Sequence, residues 1–212
     1  MLIETKSGRI ELDISLPLPE EPPRETNKKV KSVVLCHPHP QFGGSMNNKV
    51  VHTLAKTTVS AGHRAIRFNF RGVGASEGQF DHGVGEREDL ASVVRAILEQ
   101  FPTEPLLLAG FSFGAYVAAE FCTQESNHCR VDALCLVAPP IGRMSFSSSA
   151  SLELPLTVIA AEDDELIPTD RIRHWSTEAA DIQRFTVIQG ASHFFHGKLR
   201  QLSDAFFPFI SD

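Results

Sequence analysis

Along the chain, short runs that are apolar at nearly every position alternate with longer segments whose apolar residues recur at helical spacing. The apolar runs are typical of buried strands, and they lie at 31–38, 63–70, 105–111, 131–139, 155–163 and 183–190. Helical spacing marks the segments 47–62, 85–101, 112–124 and 195–210. In the segment 85–101, one apolar stripe consists of Leu90, Val93, Val94, Ile97 and Leu98.

The first residues of the chain follow a different rhythm. Residues 2–16 alternate between apolar and polar side chains around Ser7-Gly8, which predicts a β-hairpin. The segment 17–29 is rich in proline and charge, and the segment 145–151 reads SFSSSAS, so both are predicted to be surface loops.

Apolar strands that alternate with amphipathic helices predict the α/β class, with a mainly parallel sheet and helices on both of its faces. The alternation continues without a break or an internal repeat, which predicts a single domain over residues 1–212. In such a sheet, function collects where the strands end at their carboxyl side.

Composition adds mostly exclusions. The chain has 212 residues, 42% hydrophobic and 22% charged, which is ordinary for a globular protein and enough for one substantial core. A net charge of -6 and the lack of a basic block argue against partnership with nucleic acid or an anionic membrane surface. No apolar stretch has the length of a membrane span, and no signal peptide is apparent.

Four cysteines, Cys36, Cys122, Cys129 and Cys135, form no CxxC pair. Two of them lie inside strand-like runs, where a thiol behaves as a small buried hydrophobe. We interpret all four as reduced thiols of a cytoplasmic protein, with a Cys122–Cys129 disulfide as the less favoured alternative.

Reactive side chains follow four of the predicted strands. Ser112 follows 105–111, Asp163 and Asp164 follow the apolar part of 155–163, and His193 follows 183–190. His37 and His39 follow the run that ends at Cys36. Because parallel strands end at the same edge of a sheet, these side chains are expected to converge.

The stretch Gly110-Phe111-Ser112-Phe113-Gly114 joins a strand to a helix. Gly-x-Ser-x-Gly at such a junction is the pattern of a nucleophile elbow, a strained turn that exposes its serine. The two glycines let neighbouring backbone pass close to Ser112, and the N-terminal N–H groups of the helix stabilise an oxyanion. The alternative is a purely structural role, as a tight turn in a non-catalytic fold.

A serine hydroxyl needs a base, and that base needs a carboxylate partner. His193 is the predicted base, with His196 close enough to compete for the role. The carboxylate is expected from the run Glu162-Asp163-Asp164-Glu165, which has a solvated acidic loop as its alternative interpretation.

The stretches HPHPQFGGSMNNKVV, RFNFRGVGASEGQFDHGVGEREDL, LAGFSFGAYVA and GASHFF resemble the α/β-hydrolase superfamily, and within it a group of small, lidless bacterial hydrolases. The resemblance covers nearly the whole chain and implies a serine hydrolase with an N-terminal antiparallel hairpin and no lid domain. It places Asp164 in the acid position, although Ala161 replaces the usual glycine and Asp163 remains the alternative.

The same resemblance implies two oxyanion donors. The backbone N–H of Phe113 is the first, and alignment of His37-Pro38 with the usual His-Gly makes the N–H of His39 the second. Phe42 or Gly43 donates instead if the QFGG loop folds inward. Pro40 has no N–H and is excluded.

Several loop residues are predicted to form the substrate pocket. Phe42, Gly43, Phe80 and Phe194, together with the side chain of Phe113, are expected to wall an acyl site. Arg71 is expected to pair with a buried carboxylate. A further set of aromatic residues is expected to form the buried face of the last helix, namely Phe206, Phe207 and Phe209.

The predicted function is therefore a serine hydrolase that cleaves an ester or related acyl bond of a small soluble substrate, with Ser112, His193 and Asp164 as its triad. No cofactor and no metal are implied. One alternative is a non-catalytic binding module on a hydrolase scaffold. Another is a metal-dependent hydrolase that uses His37 and His39, whose spacing would put both on one strand face, with His82 or His193 as a third ligand. The sequence indicates neither an oligomeric state nor the natural substrate.

Overall fold

A computed structural model describes residues 1–6, 8–17, 29–124, 130–179 and 181–211. Within these ranges the strands form one sheet, in the order β1-β2-β4-β3-β5-β6-β7-β8. Their bounds are β1 (Leu2–Thr5), β2 (Gly8–Ser15), β3 (Ser32–Cys36), β4 (Arg64–Phe68), β5 (Leu106–Phe111), β6 (Ala133–Val137), β7 (Leu156–Ala161) and β8 (Ile182–Ile188). The helices are α1 (Lys49–Ser60), α2 (Val84–Gln100), α3 (Phe113–Cys122), α4 (Thr169–Ser176) and α5 (Leu199–Ser211).

The sheet is mainly parallel, as the sequence predicts. Strand β2 pairs antiparallel with both β1 and β4, whereas the other neighbouring pairs are parallel. After β3 the chain passes to β4 on one side and then crosses to β5 on the other side. The crevice beside β3 and β5 is thus a topological switch point, which is where open α/β sheets bind ligands.

The helices bury both faces of the sheet. One core contains Leu90 of α2, Val117 of α3 and Ile172 of α4, and the other contains Leu54 of α1 and Phe206 of α5. Strands covered on both faces must be apolar throughout, which explains the uniformly buried side chains of β3, β5 and β7. The predicted α/β-hydrolase fold is confirmed.

Local capping contacts determine where α1 begins and ends. Asn48 caps its N-terminus by accepting a hydrogen bond from the N–H of Val50. At the other end, Gly62 has a φ of 84°, its N–H donates to the carbonyl of Val59, and the N–H of His63 donates to the carbonyl of Thr58. This paired arrangement is a Schellman motif, which requires the positive φ that glycine supplies.

The helices depart from the sequence predictions at two points. Helix α4 was not predicted, because over its eight residues only Ile172 and the partly buried Trp175 contribute a stripe toward the core. Phe207 was predicted to be buried but is 47% exposed. Phe206, Phe209 and Ile210 share the buried face of α5, and a residue one position after Phe206 is turned about 100° away from it.

Other predictions fall partly outside the described residues. Ser7 of the predicted hairpin, Cys129, and residues 18–28 of the predicted surface loop lie there. Cys36, Cys122 and Cys135 are buried free thiols. In the described part of the chain, no helix is long and apolar enough to cross a lipid bilayer.

Candidate active site

The turn between β5 and α3 places Ser112 at the carboxyl edge of the sheet. Ser112 has φ 52° and ψ −119°, a strained conformation for a residue with a side chain. A side chain at Gly110 would overlap with the carbonyl of Gly114, and one at Gly114 would overlap with the carbonyls of Cys36 and His37. Both glycines are therefore required by close backbone contacts, as the sequence predicts.

Ser112, His193 and Asp164 form a continuous chain of hydrogen bonds. The distance from Ser112 Oγ to His193 Nε2 is 2.9 Å, and the distance from His193 Nδ1 to Asp164 Oδ2 is 2.8 Å. The side chains of His193 and Asp164 are almost fully buried, at 2% and 0% exposure. A carboxylate accepts only, so Nδ1 carries the proton and the lone pair of Nε2 faces the hydroxyl of Ser112.

The loop after β7 presents Asp164 rather than Asp163. One carboxylate oxygen of Asp164 accepts the N–H groups of Leu166 at 2.9 Å and Ile167 at 2.8 Å, which leaves the other oxygen for His193. The side chain of Asp163 is exposed, and its backbone N–H donates to the carbonyl of Ala191. The register that the sequence favours is therefore the one that reaches the histidine.

Two further carboxylates in this loop hold the segment that carries His193. Glu162 accepts the backbone N–H of Gly190 at 2.8 Å, and Glu165 accepts the backbone N–H of His193 at 3.0 Å. Sequence reasoning missed both roles, because it treated the acidic run as a source of one carboxylate with solvated neighbours. His196, the competing base, is exposed, and its ring contacts Phe194 at 6.0 Å.

Two backbone N–H groups remain available as candidate oxyanion donors. Among the described residues, the N–H groups of Phe113 and His39 donate to no acceptor. The alternatives are engaged elsewhere, since the N–H of Phe42 donates to the carbonyl of His39 at 3.1 Å and that of Gly43 donates to Pro40 at 3.2 Å. These bonds close a short 3-10 turn over Pro40–Phe42, so the QFGG loop does not turn its N–H groups inward.

His37 fixes the peptide that precedes His39. Its Nδ1 lies 2.6 Å from the carbonyl oxygen of Pro38, and its Nε2 accepts the N–H of Phe70 at 3.0 Å. Because a peptide unit is planar and trans, fixing the carbonyl of Pro38 also fixes the direction of the His39 N–H. Burial lowers the pKa of His37 from 6.5 to about 4, so the ring is neutral and keeps both bonds.

The predicted placement of His37 and His39 on one strand face is wrong. Strand β3 ends at Cys36, and His39 lies in the loop beyond it, where its Nδ1 accepts the N–H of Gln41. Both nitrogens of His37 are occupied by backbone groups, which leaves no lone pair for a metal. In the described ranges, no group of three or more histidine, cysteine, aspartate or glutamate side chains is arranged to hold a metal ion.

An aromatic surface lies beside the two candidate oxyanion donors. The ring of His39 is 4.6 Å from the ring of Phe42, 4.8 Å from Phe80 and 5.0 Å from Phe113, measured between centroids. Burial, and secondly the charge of His82, lower the pKa of His39 below its usual value. Phe194, another predicted pocket residue, is 40% exposed and contacts the ring of His193 edge-on at 5.1 Å.

The loop that carries Phe80 is anchored by buried charges. Arg71 pairs with the 1% exposed Asp89 at 2.8 Å, which confirms the predicted buried partner. The fully buried carboxylate of Glu86 accepts the backbone N–H groups of Asp81 at 2.9 Å and Gly83 at 2.7 Å. These contacts fix the loop over α2 and so fix the position of its aromatic side chain.

Comparisons with known proteins agree with this architecture. The sequence family described as serine aminopeptidase, S33, matches residues 27–148. An uncharacterized protein of Rickettsia prowazekii is 32% identical over 193 residues, which cover 86% of this chain and 79% of that protein.

Two solved structures are similar over nearly the whole chain. A structure of an α/β serine hydrolase homologue from Coxiella burnetii shares 37% identity, covers 99% of this chain and 96% of that one, and superposes with a TM-score of 0.87. A lidless α/β serine hydrolase from Xanthomonas campestris shares 35% identity, covers 97% of this chain and 90% of that one, and superposes with a TM-score of 0.84.

Fold and site together define an α/β hydrolase without a lid. The chain belongs to the family described as serine aminopeptidase, S33. Membership of this family supports hydrolase activity.

Proposed function

We propose that the protein is a serine hydrolase that cleaves an ester or related acyl bond of a small substrate through a covalent acyl-enzyme. The observation that carries this proposal is the unbroken chain from Ser112 Oγ through the ring of His193 to Asp164, at 2.9 and 2.8 Å. A serine hydroxyl is a weak nucleophile, and a neutral imidazole at hydrogen-bond distance is the base that activates it.

The reaction follows from this geometry. As Ser112 Oγ attacks the carbonyl carbon, its proton passes to His193 Nε2, and the carbonyl oxygen becomes an oxyanion beside the N–H groups of Phe113 and His39. His193 then returns the proton to the leaving oxygen, which frees the alcohol and leaves an acyl-serine. Water, deprotonated by the same nitrogen, attacks the acyl-serine; His193 then gives this proton to Ser112 Oγ as its bond to the acyl carbon breaks, which releases the acid and restores the free serine. Asp164 stabilises the imidazolium in both halves.

The lack of a lid is expected to favour compact acyl groups. The segment between β6 and β7 is held down, because Ser147 binds the carboxylate of Glu120 and its carbonyl accepts the indole N–H of Trp175 at 3.0 Å. A segment fixed in this way cannot close over a long chain, and each uncovered CH₂ forgoes about 0.8 kcal/mol. We therefore propose short, soluble acyl esters, with rates that do not rise in an emulsion.

Substitution of the proposed nucleophile tests the function. Ser112→Ala should lower kcat/KM for p-nitrophenyl acetate by at least about 10³-fold, while the free energy of unfolding stays nearly unchanged. Rates measured from acetate to long-chain esters, with and without an emulsion, test the size of the acyl group. If Ser112→Ala keeps most of the wild-type activity, the proposed function is wrong.

The two other classes of function predict different results. A binding module on a hydrolase scaffold predicts no turnover and no labelling of Ser112 by a fluorophosphonate. A metal-dependent hydrolase predicts activity that a chelator abolishes. Because the family is described as serine aminopeptidase, cleavage of an amide bond should be tested as well. An aminoacyl p-nitroanilide should therefore be compared with the ester at equal concentration. The same acyl-enzyme chemistry applies to an ester and to an amide. The ratio of the two rates shows which bond the enzyme prefers.

A further inference from the structure

A group of rings beside the proposed nucleophile begins in the core and ends in an exposed ring that packing does not explain. We define the aromatic ledge as the side chains of His39, Phe42, Phe80 and Phe113. Phe113, at 1% exposure, is its buried floor, whereas Phe42, at its outer end, is 86% exposed. A phenyl group with this exposure contributes little to the core, so stability does not account for its position.

Three rings of the ledge leave surface available for another ring, because Phe42 is exposed and His39 and Phe80 are partly exposed. The planes of Phe42, Phe80 and Phe113 are tilted from the His39 ring by 48°, 40° and 52°. Aromatic rings prefer such tilted or edge-on contacts at centroid distances of about 4.5–7 Å, and each contact is more favourable than its buried area alone implies. The edge-on pair of Phe80 with His82, at 4.8 Å, extends the same surface.

The ledge is held in place before any ligand arrives. Phe42 closes the 3-10 turn through its own N–H, and the backbone on both sides of His82 is bound by the buried carboxylate of Glu86. A surface that is already ordered loses little conformational freedom when a ring binds to it. The exposed Phe42 is therefore placed to bind a ligand.

The position of the ledge relates it to one part of the substrate. Two of its residues, Phe113 and His39, also present the candidate oxyanion N–H groups, so a ring on the ledge lies within a few bonds of the reacting carbonyl. The leaving oxygen must lie beside His193 Nε2 to receive its proton, and the ring of Phe194 contacts the ring of His193 edge-on at 5.1 Å. Because the oxyanion donors belong to residues of the ledge and the leaving oxygen belongs at His193, the ledge is expected to face the acyl side of the carbonyl.

From these observations we infer that the acyl group of the substrate carries an aromatic ring that binds on the ledge of His39, Phe42, Phe80 and Phe113. This inference rests on the proposed function and adds the substrate class to it, namely esters of short aryl-substituted carboxylic acids. A planar ring should be preferred to a saturated ring of similar size, because only the planar ring makes aromatic contacts with the ledge.

Matched esters test the inference. The probes are p-nitrophenyl esters of phenylacetic, 3-phenylpropanoic and 4-phenylbutanoic acids, each paired with its cyclohexyl analogue, so that leaving group and chain length are equal within a pair. We expect kcat/KM to favour the phenyl ester by about threefold to tenfold for at least one chain length. In Phe42→Leu this ratio should fall to near one. In Phe207→Leu, which alters an exposed phenylalanine on α5, it should remain at the wild-type value.

Each outcome supports or overturns the inference. Ratios near one at all three lengths would overturn it, as would a preference that survives Phe42→Leu or disappears only in Phe194→Leu. If a fluorophosphonate labels Ser112 and neither ester of any pair is hydrolysed, the inference fails while the nucleophile stands. If Ser112 is not labelled and no ester is hydrolysed, the proposed function itself fails.

Discussion

Five consecutive residues that span the junction of β5 and α3 determine where Ser112 lies, whereas Asp164 and His193, 29 residues apart in the chain, meet through contacts between two loops. In the elbow, both glycines are required by backbone that passes nearby, and the strained φ of Ser112 follows from the turn itself. In the acid and histidine loops, carboxylates on one loop bind backbone N–H groups on the other. The first region is encoded locally, and the second depends on tertiary contacts.

The largest expected effect on activity comes from a substitution in the loops that carry the acid and the histidine. Asp164→Asn should lower kcat by about 10⁴-fold, because a neutral amide neither stabilises the imidazolium nor holds the tautomer that faces Ser112. Asp163→Asn, one residue earlier and exposed, is the matched control and should keep nearly full activity. Steady-state kinetics with p-nitrophenyl acetate measure both, and the reverse ranking would show that the acid register is wrong by one residue.

In the elbow, we expect substitution of a glycine to affect mainly the free energy of unfolding. Gly114→Ala forces a methyl group against the carbonyls at the end of β3, and we expect it to lower the free energy of unfolding by about 3 kcal/mol. Gly62→Ala is the control, since Gly62 has open space around it and a positive φ of 84°, so its substitution should be destabilising by about 1 kcal/mol. Urea unfolding of the two variants tests this difference, and equal losses would contradict it.

The loop that presents His39 is expected to make stability depend on pH. The pKa of His37 is lowered by burial from 6.5 to about 4, so between these values the unfolded chain binds a proton that the folded protein does not. Above pH 6.5 the neutral ring costs the folded state nothing. As the pH falls toward 4, proton binding by the unfolded chain lowers the free energy of unfolding by up to about 3 kcal/mol.

Unfolding free energies of wild type and His37→Asn between pH 7 and pH 5 measure this contribution. The slope against pH should be smaller in the variant, and the exposed His52→Asn should keep the wild-type slope. Parallel slopes for wild type and His37→Asn would show that His37 is not the group responsible. The pH range of these measurements is chosen to avoid the protonation of other groups. The hydrogen-bonded carboxylates of Glu11 and Asp13, whose pKa values are lowered, protonate at a lower pH.

The smallest expected effect concerns the contact between the two loops. Glu165→Ala removes the acceptor of the His193 N–H, and we expect kcat to fall about tenfold with KM unchanged, because the histidine is displaced while substrate binding is not. Glu165→Gln keeps an acceptor oxygen and should recover most of the activity. A purely electrostatic role would instead make the glutamine variant as slow as the alanine variant.

The parts of this protein that were predictable are those in which the periodicity or a short motif is sufficient. Strand positions, the helix stripe from Leu90 to Leu98 and the crowding at Gly110 and Gly114 are all properties of neighbouring residues. The preference for Asp164 over Asp163 came instead from the resemblance to the α/β-hydrolase superfamily, whose acid position aligns with Asp164.

The features that the sequence did not reveal depend on distant partners. Glu162 and Glu165 look like solvated charges until the histidine loop is placed beside them. Helix α4 buries too few residues to show a stripe, and the engagement of the Phe42 and Gly43 N–H groups depends on how the QFGG loop closes. In each case, the deciding contact joins groups whose relation is not visible in a linear pattern.

The most direct test of the central claim is to trap the acyl-enzyme. Wild-type protein mixed with p-nitrophenyl acetate and quenched in acid within the first turnover should carry one acetyl group, located by peptide mass spectrometry on Ser112. The Ser112→Ala variant should carry none. An acetyl group on any other residue of the quenched wild-type protein, or turnover of the ester without acetylated Ser112, would contradict the account.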